Sequence, residues 1–378
     1  MLSPGRESGG IGRRTGFRFQ RGNPWGFESP LSHHAAAGMF PPHGRAGTTT
    51  HTKLNPWLGV LAGGILVAGG FVFCAGAAER PPMPAVTQPV MFNTPKADKI
   101  LAALQVFPPD NPWNEDISKR PVLSNSAAMI AAIGPAKKLA YNRDMGFIIV
   151  PGNQKRVNAK LLLYPGESDK GPYPIPDNAP VEGWPMDGRI LAAAQSGKED
   201  ADRHVIIVDP VNRMLYEFYQ GRKTPAGWEC ACAAVFDLKS NRLRPDGWTS
   251  ADAAGLPIFP AVIRFDEVER GMVRHAMRFT VRNTRHAYVY PATHQASRKQ
   301  DPDLPRMGER FRLRADFDIA GFPPHVKAIL KGLKKYGMFV ADNGGDWRLS
   351  IAPDQRIKGL DELGRVKGSD FEVIGKER

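Results

Sequence analysis

Cysteine is scarce in this chain: three residues in 378. That excludes a disulfide scaffold. Cys230 and Cys232 stand at i and i+2 of one apolar run. On a strand both would point to one face, where a bridge is strained, so two half-buried thiols are the expectation. No CxxC or HxxxH accompanies them, so no zinc signature is present. The chain also lacks a P-loop, a Rossmann glycine pattern, a nucleophile elbow and HExxH. Gly152 and the pair Gly344-Gly345 read as turn glycines. No cofactor is therefore expected. The net charge is +13, but no nucleic-acid-binding motif goes with it.

Targeting signals are present instead. Residues 1–53 are rich in Gly, Arg, Pro and His without an apolar period, which cannot build a core; they read as a disordered or mis-assigned leader, with Met39 a plausible start. Residues 54–78 carry no charge, follow Lys53, and close on Ala75-Gly76-Ala77-Ala78. That order is a signal peptide's; a retained anchor is the alternative, since the run is about long enough to span a bilayer. Membrane contact is expected only if that segment stays uncleaved. The expected location is secreted or periplasmic. A basic exported protein meets anionic polymers, so the expected partner is a polysaccharide, acidic in one version.

Residues 79–93 read as a Pro-rich linker, and 94–378 as one mainly β domain. Thr94-Pro95 opens a short helix, and Ser124-Asn125-Ser126 caps a second that Gly134 ends. Residues 146–152, 157–164, 204–210, 213–220, 230–238, 258–265 and 310–318 read as strands. In the last, alternation puts Phe311 and Leu313 inward and Arg310 and Arg312 toward solvent. Pro324–Lys335 has a helical apolar stripe stopped by Gly337. The segments around Asn343–Asp346 suggest a hairpin, with a calcium loop as a minor alternative. Many short strands with few helices point to a β-sandwich or jelly roll with peripheral helices.

The densest chemistry lies between Ser240 and His294. A hairpin turning at Asn283-Thr284 would put His275 diagonal to His294, beside Tyr288 and Tyr290. A three-residue turn would bring Arg278 opposite Tyr290 instead. Two reactions suit these residue types. A glycoside hydrolase needs two carboxyl groups about 5–9.5 Å apart, for which Asp246, Asp252, Asp266 and Glu267 are available. A lyase needs a base such as His or Tyr beside a uronate whose charge an arginine neutralises. The expected catalytic residues are Asp252, Glu267, His275, Tyr290 and His294; Arg278, His204, Trp248 and Asp246 would bind substrate. Asp252 and Glu267 are separated by an apparent strand of about 26 Å, so only a loop folding back could join them. A metal site of His204, His275 and His294 is a weaker alternative without a spacing signature.

LRPDGWTSADAAGLPIFP (243–260), RHAMRFTV (274–281), HAYVYPATH (286–294) and YGMFVADNG (336–344) together resemble a family of uncharacterised secreted bacterial proteins. The resemblance runs from about Asn111 to Ile374. It implies export and carries no catalytic role to any residue. Ala292-Thr293 before His294 and the Cys-Ala-Cys segment depart from that pattern. Taken together, the residues point to a secreted polysaccharide-degrading enzyme, a hydrolase ahead of a lyase. The alternative is a non-catalytic secreted module that binds an anionic or cell-wall polymer.

Overall fold

The computed structural model describes residues 80–199 and 201–375. The leader and signal-peptide expectations fall outside them. The compact unit to which the described residues belong spans Ala75–Arg378. Among the described residues no helix is long and apolar enough to cross a membrane.

In chain order the elements are β1 (Val90–Met91), α1 (Pro95–Ala103), α2 (Ser126–Ile133), β2 (Ala140–Arg143), β3 (Ile148–Ile149), β4 (Ala159–Leu161) and α3 (Leu191–Ser196). Then follow β5 (Val205–Asp209), β6 (Met214–Tyr219), β7 (Arg222–Thr224), β8 (Gly227–Cys230), β9 (Cys232–Asp237), α4 (Phe265–Glu269) and β10 (Met277–Val281). The chain ends with β11 (Arg310–Leu313), α5 (Pro324–Lys335), β12 (Met338–Asn343), β13 (Arg348–Ile351) and β14 (Phe371–Ile374).

The strands form three sheets ordered β1-β3-β5-β6-β9, β14-β11-β12-β10-β13-β2 and β4-β8-β7. The mainly β expectation holds. All three sheets are mixed, with parallel pairs β2/β13, β3/β5, β4/β8 and β10/β12. An antiparallel sandwich or jelly roll is therefore not established.

The five-stranded sheet has apolar packing on both faces. Ile206, Val208 and Leu215 face the main core; Val205, Ile207 and Phe218 face a second one with Tyr173 and Trp228. Burial on both sides explains why β5 reads as an unbroken apolar run. Helix α1 forms as expected: Thr94 Oγ1 accepts from the Ala97 N–H at 3.2 Å, and Ile100 and Leu101 are buried. The folded part begins before residue 94, because β1 pairs with β3 and Phe92 is buried; the linker reading of 79–93 is corrected to that extent.

Five strand expectations change. Residues 258–265 are buried but form a 3-10 turn (Phe259–Ala261) running into α4. Pro260 has no N–H, and the N–H groups of Ile258 and Phe259 are taken by the Glu217 carboxylate at 2.7–3.0 Å. The Asn283-Thr284 hairpin does not form. Strand β10 lies between β12 and β13 and pairs with both, so the hairpin around Asn343–Asp346 is replaced by that insertion. The Cys230–Leu238 run breaks at Ala231, and the two thiols, both buried and free, fall in different sheets. The 310–318 strand stops at Leu313, and Arg310 and Arg312 are buried, paired with Glu115 and Glu372.

Candidate functional site

Between the six-stranded and five-stranded sheets lies a cluster of ionisable side chains. Arg278 projects from β10 and is 3% exposed. Its Nε and Nη2 donate to Asp252 Oδ2 and Oδ1 at 2.9 and 2.8 Å, and Nη1 donates to Ser350 Oγ on β13. This bidentate fork is the strong form of the arginine–carboxylate pair. Asp252, wholly buried, sits in a tight loop tied by Ser250 Oγ to the Leu256 carbonyl at 2.6 Å. Gly255 closes the loop at φ +72°, where a Cβ would come within 2.1 Å of Thr293 Oγ1. Only glycine fits there.

His204 enters from the start of β5. Its Nδ1 donates to Glu182 Oε2 at 2.9 Å and its Nε2 to the Ala251 carbonyl at 2.8 Å. Both ring nitrogens face acceptors, which suits the imidazolium. Burial works against that charge, but the Glu182 carboxylate outweighs it and lifts the histidine to about 10. Glu182 is correspondingly held below the ordinary carboxylate range: burial pushes it up, and the charge and hydrogen bonds of His204 more than reverse this. Arg203, between Asp202 and His204, has φ +49°, uncommon for a side chain of this size. Its buried guanidinium binds the Ala194 and Gln195 carbonyls and pairs with Glu199, which fixes the direction of its two neighbours.

Three more carboxyl groups complete the cluster. Asp144 follows β2, Asp342 lies on β12, and Asp202 sits at the exposed edge. Burial and then the charge of Glu182 raise Asp144 to about 7. Its Oδ1 is shielded from solvent and has no hydrogen-bond partner among the described residues. Asp342 is pushed well above the usual range by burial and by the charges of Asp252 and Asp202; Asp202 rises through burial, with Glu182 adding to it. Five acids thus share two cations, Arg278 and His204. They cannot all be ionised at such close quarters. Beneath them, Glu217 of β6 is fully buried, and burial raises it to about 7.

This arrangement can move protons. Glu182, Asp202 and His204 also bring ligand atoms within 4.8 Å of one another, a spacing that a metal ion could bridge. Both nitrogens of His204 already face oxygens, so ligation would cost one of those contacts. The donor set suits acid–base chemistry better.

The sequence-predicted residues are divided among several places. Asp252, Arg278 and His204 belong to the cluster. Glu267 and His275 do not. His275 Nε2 donates to Glu267 Oε2 at 2.8 Å, and Arg264 Nη2 lies 2.9 Å from the same oxygen. Burial opposes the Glu267 charge, but Arg264 and then His275 hold it down at about 2. That is a sealed ion pair at α4, with no carboxyl proton to give at neutral pH. His294 binds the Ala253 carbonyl through Nδ1 at 2.8 Å, and its expected pairing with His275 is absent. The three-histidine metal site does not form: His204, His275 and His294 each bind different partners. Tyr290, 47% exposed, lines a separate cavity. Asp246 accepts from the Tyr288 hydroxyl at 2.7 Å, and Trp248 lies under the Arg244 guanidinium at 5.6 Å. The nominal calcium loop is not assembled, since Asp346 pairs with Lys137.

Asp144, the most informative acid, carries no sequence signal beyond its type. Glu182 and Asp202 have one each: a long Pro-rich loop, and adjacency to His204. No family model, curated protein or solved structure matches this chain.

Proposed function

We propose that this protein is an exported enzyme that hydrolyses glycosidic bonds in a polysaccharide at the cluster around Asp144 and Glu182. The observation that carries the reading is a pair of carboxyl groups in opposed states. Burial and the charge of Glu182 raise the proton affinity of Asp144, whose shielded Oδ1 has no partner among the described residues, while His204 holds Glu182 toward its ionised form. Divergent proton affinity within one site is how acid and base roles are divided. Asp144 gives its proton to the glycosidic oxygen, which leaves with the bonding electron pair. Water supplies the new bond to the anomeric carbon, and Glu182 takes its proton or first bonds that carbon as nucleophile. The buried Arg278–Asp252 pair adjoins the two acids, and the Arg278 charge acts on both. An elimination mechanism has less support, because Tyr290 is outside this cluster.

Reducing-end release from a panel of neutral and acidic glycans tests the proposal. The wild type is expected to act on at least one, and Asp144→Asn and Glu182→Gln are each expected to lower kcat by about 10²–10⁴. Glu267→Gln, assayed where it is folded, is expected to keep kcat. No new reducing ends across the panel would overturn the reading. The alternative of a non-catalytic polymer-binding module then gains, supported by the arginine-lined cavity beside Tyr290.

A further inference from the structure

We infer that the cavity beside Tyr290 is a subsite for a carboxylated sugar, a uronate unit of the polymer. The inference rests on the polysaccharide reading above and specifies its substrate class. The cavity holds about 250 Å³, below the range of drug-sized pockets and suited to one small ring. Three guanidiniums and two carboxylates line it: Arg120, Arg306, Arg310, Glu115 and Glu309. Arg306 is neutralised by Glu309 through two hydrogen bonds of 2.7 and 3.0 Å. Among the described residues, Arg120 and Arg310 both pair with Glu115. Counting the lining side chains, one positive charge is left over.

Arg310 is held where that surplus matters. Its Nε and Nη2 donate to the Tyr336 carbonyl at 3.1 and 2.7 Å, and its guanidinium lies 4.6 Å from the Phe339 ring. Burial, together with the like charge of Arg120, lowers its proton affinity to about 9. A carboxylate entering the cavity would restore the balance and meet a guanidinium geometry matched to it. Tyr290, 47% exposed, also lines the cavity, and an aromatic side chain is the kind of group on which a sugar stacks.

Position supports a polymer rather than a lone anion. Arg310 and Arg278 are both in register with Phe339 of the strand between them. Their Cα atoms are therefore two strand spacings apart, about 10 Å, on one face of the sheet. A second cavity of about 310 Å³, reaching Asp246 and Tyr288, shares Val289 and Tyr290 with the first. The surface is thus hollowed on both sides of Tyr290.

Calorimetric titration of the full chain with glucuronate and galacturonate tests this, with glucose, a uronate methyl ester, acetate and phosphate as separate arms. At least one uronate is expected to bind, about tenfold or more tighter than its methyl ester and than glucose, since a charge-assisted pair is lost in both. Arg120→Gln and Tyr290→Ala, each checked for an unchanged Tm, are both expected to weaken it by about tenfold. Acetate or phosphate binding as tightly as uronate would overturn the sugar assignment, as would uronate binding unaffected by either variant. Uronate binding without turnover of any glycan would leave the subsite standing and refute the hydrolase. Turnover with no uronate binding would do the reverse.

Discussion

Arg278 donates two hydrogen bonds to Asp252, with almost no solvent exposure of either residue. Removing one partner of such a pair strands the other charge, at a cost of about 3–5 kcal/mol. Asp252→Asn is therefore expected to lose stability of that order in denaturant melts, beyond any loss of activity. Glu267 makes a second sealed pair, and its folded pKa of about 2 sets a sign. A depressed carboxyl stabilises the fold above its unfolded value, about 4.3, and that stability is lost as pH falls toward 2. Unfolding free energy measured between pH 5 and pH 2 should fall less steeply in Glu267→Gln than in the wild type. Glu217 has the opposite sign. Raised to about 7, it contributes most below its unfolded value, and the contribution fades as pH rises through 7. Glu217→Gln should flatten the decline in Tm between pH 5 and pH 8. Residue types alone singled out Asp252, Arg278 and His204, which the structure places in one cluster. They also suggested Glu267 and His275, which have the right chemistry but spend it on Arg264 and a backbone carbonyl.

At the scale of elements, local pattern was legible and partnership was not. The apolar stripe of α5 is visible in sequence, because burial on one face imposes a period, whereas the alternation read at β11 is not one of burial, since all four of its residues are buried. Nothing in that period says which strand lies alongside. Strand β10 pairs parallel to β12 and antiparallel to β13, so two expected hairpins are replaced by one three-strand core. Asp144 illustrates the consequence. It is carried into the cluster by β2, which pairs in parallel with β13 some two hundred residues away. Turn chemistry was more local and more readable. Gly337 ends α5 at φ +68°, and a Cβ there would lie 2.3 Å from the Phe311 carbonyl oxygen. Gly337→Ala is expected to cost about 1–3 kcal/mol, read as a lower Tm with little change in the cluster.

Across the whole molecule, the sheets hold an acidic cluster while the chain overall is basic, at +13. The two features divide the work in the proposed reading: the basic cavity beside Tyr290 holds an anionic polymer, and the acids cleave it. The pH dependence follows from the cluster. Asp144 must be protonated and Glu182 ionised, so kcat should fall above about 7 and hold its plateau down to below the usual carboxylate range.

A carbon-13 titration of the side-chain carboxyls tests that division most directly. Asp144 is expected to titrate near 7 and Glu182 below about 4.3, with Asp144 moving down once Glu182→Gln removes the neighbouring charge. Both groups titrating together near 4, with no response of one to loss of the other, would contradict the proposed acid–base pair.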